Sequence, residues 1–391
     1  MRMGCKHSVD SMQTPATAPC RRGRSTPGPR DTRPGVRAVL LAVAAAVATL
    51  AATVGAPPAL GSAGSGEGAA RSRAATAAAG RGSAGPADGA PVRLRLMLDW
   101  FPNPDHVPIY YARESGLFRR HGLEVEILVP ADPSDPLKLA AAGRVDLAIS
   151  YQPSVSEARA EDLPVTSVGV LVEHPLNTIM TLADKGIRSP ADLAGRRVGY
   201  SVPGFEDALL GAVLERVGVS PASVQKINVH FNLTPALLAG QVDAVVGAYK
   251  NYESVVLERE GARPVWFELT DYGVPDYYEL VVVTSDSTLA ARRAAIASFV
   301  RALDEAIRMT RADPRSAFDA FMRANPELDR DLNEEAFRRT LPEFATGQVQ
   351  SEAKWANFHR FLVERGVVAK PVPANRLFTN LVTEGSTDGG R

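Results

Sequence analysis

From Pro91 onward, strand patterns alternate with helical patterns, and this alternation restricts the possible folds more than any other feature of the chain. Segments with two-residue alternation or short apolar runs predict strands at Val92–Leu98, Leu123–Val129, Val145–Ser150, Val165–Glu173, Ile179–Leu182, Arg197–Ser201, Val224–His230, Val242–Tyr249, Arg263–Leu269 and Leu280–Ser285. Apolar spacing predicts a helix around Ile109–Leu117 and others at Pro136–Ala142, Phe205–Val217, Pro235–Ala239, Leu289–Arg311, Arg315–Arg323, Asn333–Leu341 and Glu352–Arg365. Strands that alternate with helices form mostly parallel sheets covered on both faces, so the predicted class is α/β.

A short internal repeat indicates two similar α/β lobes. Ala142–Ala148 (AGRVDLA) resembles Ala239–Val245 (AGQVDAV), and each segment joins a helix end, a glycine, an aspartate and an apolar strand. We expect lobe boundaries near Ala183–Ile187 and Leu269–Gly273. Lobe one then comprises residues 91–184 and 273–383, and lobe two comprises residues 187–270. Two chain crossings between lobes form a hinge, which permits closure around a ligand.

The segment Asp99–His106 (DWFPNPDH) follows the first predicted strand and precedes a predicted helix. Its two prolines fix φ and lack backbone donors, so neither a strand nor a helix passes through it. In open α/β sheets, ligands bind at the carboxyl ends of strands, next to such loops. We therefore place the candidate site here.

Aromatic and acidic residues gather at the other predicted strand ends as well. Stacked rings hold a flat heteroaromatic ligand, and carboxylates accept its N–H groups, because a buried acceptor left unpaired costs about 1–3 kcal/mol. We expect Trp100 and Tyr200 to stack on or wall the ligand, and Asp99, Glu173 and Glu279 to accept its N–H groups. The remaining predicted cleft residues are Asn103, His106, Tyr151, Asn177, Phe205, Glu206 and Tyr249.

The N-terminal region has the pattern of an export signal. Six arginines and one acid within residues 21–37 precede the alanine-rich apolar run Ala38–Val54 and a set of small residues. We predict an export signal, or alternatively an uncleaved anchor, in residues 1–60. The Gly, Ala, Ser and Arg residues of 61–90 cannot bury enough apolar surface to fold, so this segment is a predicted flexible linker. Residues 384–391 are a predicted flexible tail.

Several other functions are disfavoured by the composition and the motifs. Lys plus Arg and Asp plus Glu both number 44, so the balanced charge does not favour nucleic-acid binding. Cys5 and Cys20 both precede the predicted folded part, which leaves no cysteine for a disulfide or a metal site there. The sequence contains no H-E-x-x-H, P-loop or strand-linked G-x-G-x-x-G pattern. We therefore expect a binding protein with no cofactor and no catalytic residues.

The chain resembles a family of solute-binding proteins for thiamine-pyrimidine precursors, over about Leu94–Leu381. The segments that carry the resemblance are Leu98–His106, Asp132–Pro136, Gly143–Tyr151, Gly195–Glu206 and Pro275–Leu280. The resemblance implies the type II periplasmic-binding-protein fold, with a ligand cleft and hinge between two lobes. It also implies a partner ABC permease with its ATPase, and N-formyl-4-amino-5-aminomethyl-2-methylpyrimidine or a close pyrimidine as ligand. The protein would then be exported and extracytoplasmic, a monomer, and active in thiamine salvage.

Fungal pyrimidine synthases share this resemblance and are the enzyme alternative. That family uses a lysine-bound pyridoxal phosphate, a histidine and a cysteine cluster. The corresponding positions here are Ser150, Ser154 and Val274–Tyr278. Because only an amine forms the Schiff base, the synthase reaction is disfavoured. A flavin-like heterocycle or a small sulfonate are the alternative ligands, although a sulfonate site would require arginines, and only Arg144 and Arg197 lie near the strand ends.

Overall fold

The computed structural model describes residues 90–382. The predicted export signal, nearly all of the predicted linker and the predicted tail lie outside these residues. The strands are β1 Val92–Met97, β2 Leu123–Leu128, β3 Leu147–Ser150, β4 Val165–Val172, β5 Asn177–Leu182, β6 Arg197–Tyr200, β7 Gln225–Asn228, β8 Ala244–Tyr249, β9 Pro264–Glu268 and β10 Leu280–Ser285. The helices are α1 Val107–Glu114, α2 Leu117–Arg120, α3 Asp135–Ala141, α4 Gln152–Ala160, α5 Phe205–Arg216, α6 Leu233–Leu238, α7 Glu253–Arg259, α8 Asp286–Ala312, α9 Pro314–Ala324, α10 Arg330–Thr340 and α11 Glu352–Glu364.

The strands form two five-stranded sheets, which confirms the predicted α/β class. The first sheet has the order β2-β1-β3-β10-β4, and the second has the order β7-β6-β8-β5-β9. In each sheet three strands pair in parallel, and the remaining pairings, which involve β10 or β5, are antiparallel. All residues of β3, β4, β5 and β10 are buried, as expected for strands covered on both faces.

The predicted internal repeat has the same structural role in both sheets. The Asp146 N–H donates to the Arg95 carbonyl of β1 at 3.1 Å, and the Asp146 Oδ2 accepts from the Arg95 N–H at 2.8 Å. Asp243 does the same at β6, where its Oδ2 accepts from the Arg197 N–H at 3.0 Å. The two sheets are therefore built on a common local plan.

The chain passes between the two sheets twice. The first passage lies between Val172 and Asn177, because β5 pairs with β8 and β9 of the second sheet. This is earlier in the chain than the expected boundary at Ala183–Ile187. The second passage, between Glu268 and Leu280, contains the expected boundary at Leu269–Gly273.

Helices α4 and α7, of nine and seven residues, are absent from the sequence prediction. The long helix α8 covers the first sheet and presents Ile296, Phe299, Val300 and Leu303 to its core. Among residues 90–382, no helix combines the length and the apolar character needed to cross a bilayer.

Candidate functional site

A cavity lies where the strand ends of the two sheets meet. The space between protein atoms at this position, open solvent included, is about 430 Å³. The loop after β1, the end of β3 and the start of β10 contribute from the first sheet. The start of β5, the loop after β6 and the end of β8 contribute from the second. Because β5 and β10 run antiparallel to their neighbours, their starts lie beside the ends of β8 and β3.

The cavity brings together nine of the twelve residues predicted from the sequence. They are Asp99, Trp100, Asn103, Tyr151, Asn177, Phe205, Glu206, Tyr249 and Glu279. Six further lining residues are absent from the sequence prediction: Asp105, Val202, Leu233, Gly247, Tyr252 and Glu253. Among these, Asp105 lies inside the predicted loop. Tyr252 is the N-cap of the unpredicted helix α7, and Glu253 is its first residue.

Asp99 connects the first loop to the end of β3. It is buried, and its Oδ2 accepts from the Tyr151 hydroxyl at 3.0 Å. Its Oδ1 lies 2.9 Å from His106 Nε2. Because His106 Nδ1 accepts from the Asn103 N–H at 3.3 Å, the neutral tautomer that carries its proton on Nε2 satisfies both bonds. His106 is therefore a completely buried support for Asp99, outside the cavity lining where the sequence analysis had placed it.

The same loop is shaped by a helix cap. Asn103 is in extended conformation, its side chain accepts from the Asp105 N–H, and Pro104 occupies the first position of a short 3-10 helix, Pro104–His106. This arrangement satisfies the free N–H groups at the helix start. It fixes Asp99, Trp100 and Asp105 on one rigid turn, which continues into α1.

Glu206, in the first turn of α5, lies against Gly247 of β8. Its Oε2 accepts from the N–H groups of Ser201 and Val202, at 2.7 and 3.1 Å. Gly247 has a φ of +98°, and a Cβ atom there would lie 2.8 Å from Glu206 Cδ. Glycine is required on both grounds, since this φ disfavours L side chains and the close approach leaves no space for one.

Glu279 precedes β10 and is completely buried. Its Oε2 accepts from the N–H groups of Leu176 and Asn177, at 2.7 and 2.9 Å, and from the Tyr277 hydroxyl at 3.1 Å. Its Oε1 accepts from the Tyr249 hydroxyl at 3.2 Å. Glu279 thus links both passages between the sheets to the end of β8.

Aromatic rings form the apolar part of the cavity. Trp100 packs edge-on against Phe231, with ring centroids 4.6 Å apart, and also contacts Phe101 at 5.4 Å. Tyr151 and Phe205 meet from opposite sheets with ring centroids 5.1 Å apart. The rings therefore join the loop of the first sheet to the second sheet, and they leave flat faces for a flat ligand.

Two predicted residues, besides His106, lie outside this cavity. The half-buried Glu173 accepts from the Thr346 N–H and hydroxyl, at 3.0 and 2.8 Å. Its strand, β4, is an edge strand whose last residue, Val172, pairs with Leu280 beside the cavity, but Glu173 itself is absent from the cavity lining. Tyr200 ends β6 opposite Asn228 of β7, and Val202, two residues later, lines the cavity instead. The predicted ligand contacts of Glu173 and Tyr200 therefore lack support from the geometry.

The cavity is acidic. Five carboxyl groups line it (Asp99, Asp105, Glu206, Glu253 and Glu279), and no Lys, Arg or His is found among its described lining residues. Burial raises the pKa of Glu206 to about 8, and it raises the pKa values of Asp105, Glu253 and Glu279 to about 7. Such a site favours ligands that bring N–H donors or positive charge. In residues 90–382, no group of three or more His, Cys, Asp or Glu residues is arranged to hold a metal ion.

Two α/β sheets with a cavity between their strand ends define the class of periplasmic binding proteins. The solved structure of the periplasmic aliphatic sulphonate binding protein SsuA from Escherichia coli has this fold. It matches with a TM-score of 0.59 at 17% identity, over 73% of this chain and 97% of that chain. This likeness establishes the type II periplasmic-binding fold expected from the sequence.

The chain belongs to the NMT1/THI5-like family, which matches residues 103–317. A Haemophilus influenzae protein named for thiamine biosynthesis is 42% identical over 280 residues, which cover 71% of this chain and 88% of that protein. The formylaminopyrimidine-binding protein of Halalkalibacterium halodurans is 35% identical over 297 residues, covering 74% and 90%. The expected family resemblance is confirmed.

Fungal synthases are more distant relatives. The 4-amino-5-hydroxymethyl-2-methylpyrimidine phosphate synthase of Schizosaccharomyces pombe is 27% identical over 293 residues, covering 72% of this chain and 84% of the synthase. The chain is therefore more similar to the formylaminopyrimidine-binding protein than to this synthase.

Proposed function

We propose that this chain is an extracytoplasmic solute-binding protein that captures a thiamine-related aminopyrimidine and delivers it to an ABC importer. The observation that carries the proposal is the acidic, aromatic cavity, whose five carboxyl groups face no lining cation. A flat ring with an exocyclic amino group provides faces for the rings and N–H donors for the carboxyl groups. The name of the Halalkalibacterium halodurans relative supports N-formyl-4-amino-5-aminomethyl-2-methylpyrimidine as the specific ligand.

The arrangement of the sheets supports capture by closure. The two sheets belong to the two proposed lobes, and the passages near Val172–Asn177 and Glu268–Leu280 form the proposed hinge. Export through residues 1–60, with residues 61–90 as a tether, would place the lobes outside the membrane beside the permease. Each of these features accords with delivery of a captured solute.

The alternative ligands fit the cavity less well. A sulfonate is an anion, and the cavity lining contains five carboxyl groups and no Arg or Lys to pair with it. A flavin presents two ring carbonyls and a single ring N–H, which provide few donors for these acceptors.

A synthase reaction is also poorly supported by the residues present. Ser150 and Ser154 lie in a neighbouring cavity, and a serine hydroxyl forms no Schiff base with pyridoxal phosphate. The lysine on that cavity, Lys138, directs its Nζ toward Ser134 Oγ at 3.3 Å.

Calorimetric titration of the purified full chain tests the proposal. The ligands are the formylaminopyrimidine, its hydroxymethyl analogue, thiamine, riboflavin and an alkanesulfonate. We expect saturable binding of one aminopyrimidine at a stoichiometry near one, with the ligand recovered unchanged. Binding of the sulfonate or riboflavin alone would overturn the ligand assignment, and conversion of the ligand would overturn the transport role.

A further inference from the structure

One carboxyl oxygen of the cavity lacks a partner. Asp105 is 1% exposed, and its Oδ1 accepts from Asn251 Nδ2 at 2.7 Å. Its Oδ2 is buried and has no hydrogen-bond partner within the described residues. Buried polar oxygens are nearly always paired, and an unpaired one in a ligand cavity calls for a donor from the ligand.

The other carboxyl groups of the cavity are already engaged. Glu279 accepts four hydrogen bonds, and both oxygens of Asp99 have partners. One oxygen of Glu206 and one of Glu253 accept backbone N–H groups. Asp105 Oδ2 is the carboxyl oxygen among these five groups that is both fully buried and unpaired.

Asn251 fixes the orientation of Asp105. The same Nδ2 that donates to Asp105 also donates to Thr340 Oγ1, at 2.7 Å. Thr340 is the last residue of α10, and its hydroxyl donates to the Ala336 carbonyl of the same helix. A buried amide with both of these acceptors has little freedom to rotate. Oδ1 is therefore held toward Asn251, and Oδ2 is the oxygen of this cavity-lining carboxyl group that remains without a partner.

The same loop offers a complementary donor. Trp100 is 8% exposed, lines the cavity, and its Nε1–H is buried without a partner among the described residues. The site therefore contains one unpaired acceptor and one unpaired donor. An aminopyrimidine carries the matching groups, an amino N–H next to a ring nitrogen.

We propose that Asp105 determines ligand specificity by accepting the exocyclic amino group of the pyrimidine, and thereby selects 4-amino over 4-oxo rings. This inference rests on the proposed function and goes beyond it by assigning the selection to one residue. A 4-oxo ring directs a carbonyl oxygen at Asp105 Oδ2, so with Asp105 ionised two acceptors face each other without a proton between them. We expect an unpaired pair of this kind to reduce affinity by about 10- to 100-fold.

The variant Asp105→Asn tests the assignment because it reverses the polarity at one atom. Asn251 Nδ2 requires an acceptor, so the new amide directs its oxygen to Asn251 and its NH₂ group to the cavity. We expect affinity for the 4-amino ligand to fall at least tenfold, and affinity for its 4-oxo analogue to rise, so that the preference inverts. Asp304→Asn, on α8 and outside the cavity, is the matched control and should leave both affinities unchanged.

A second variant keeps the test decisive if Asp105→Asn does not fold, as judged by its thermal midpoint. Asp105→Ser removes the carboxyl group without adding an amide, and we expect the ratio of 4-amino to 4-oxo affinity to approach one. If the wild-type chain binds 4-amino ligands and a folded Asp105 variant keeps the wild-type ratio, the assignment of Asp105 is wrong while the proposed function stands. If the wild-type chain binds no aminopyrimidine, the proposed function itself is wrong.

Discussion

Gly247→Ala is the substitution for which the structure gives the sharpest expectation. The residue lies in β8 at a φ of +98°, and an added Cβ would lie 2.8 Å from Glu206 Cδ. Glu206 cannot move away freely, because its Oε2 accepts from two backbone N–H groups in the loop after β6. The added methyl group therefore strains the backbone and also displaces a buried carboxyl group.

The expected loss of stability is the sum of these two effects. The strained backbone costs about 1–3 kcal/mol, and buried hydrogen bonds lost at Glu206 cost about 1–3 kcal/mol more. We expect the free energy of unfolding, measured by urea denaturation at 25 °C, to fall by about 2–6 kcal/mol. Because Glu206 lines the cavity, affinity for the aminopyrimidine should fall as well.

A matched glycine separates strain from the clash. Gly186 has a φ of +69°, and a Cβ there would have no described atom within 4 Å. Gly186→Ala should therefore lose only about 1–2 kcal/mol, the backbone contribution, and bind the ligand normally. If the two variants lose equal stability and both bind normally, contact between Gly247 and Glu206 does not shape the site.

Two other predictions concern the ring and the charges of the cavity. Trp100→Ala should weaken ligand binding about thirtyfold or more, as for a buried aromatic anchor. The control Trp266→Ala, on the exposed face of β9, should leave the affinity unchanged. If Trp100→Ala binds the ligand as tightly as the wild-type chain, Trp100 is not part of the site. Without ligand, the free energy of unfolding should decrease as pH rises from about 5 to 8, by up to about 1.4 kcal/mol per pH unit for each group. The sign follows because four carboxyl groups with raised pKa values hold protons in the folded state that the unfolded chain has released. Glu206→Gln should flatten this slope, and a flat wild-type profile between pH 5 and 8 would contradict the raised pKa values.

The position of the site could be predicted from the sequence because strand ends in an α/β fold converge. Trp100, Tyr151 and Phe205 each lie within a few residues after a predicted strand, and they line one cavity although they are far apart in the chain. Strand order was not predictable in the same way. Glu173 also follows a strand, but that strand is at the edge of its sheet, and the Glu173 carboxylate accepts from Thr346 instead of lining the cavity.

The residues missed by sequence analysis share a local reason. Asp105 lies between proline and histidine in a loop, where an aspartate usually caps or turns the chain. Gly247 interrupts an apolar strand, a pattern that indicates close approach of another group without identifying it. Tyr252 and Glu253 begin a helix of only seven residues, too short for a clear periodic pattern.

The acidic groups of the cavity fall into two kinds, and the difference bears on closure. Glu279 accepts from Leu176 and Asn177 at one passage between the sheets, and its own segment is the other passage. Through the Tyr249 hydroxyl it also reaches the end of β8 in the second sheet. A carboxyl group with four donors has little capacity left for a ligand, so Glu279 stabilises the crossing where the proposed hinge lies. Asp105 retains an unpaired oxygen, and Glu206 and Glu253 keep an oxygen outside their backbone hydrogen bonds. We therefore expect ligand recognition in the proposed cleft to depend on these three groups, which lie on both sides of the crossing that Glu279 fixes.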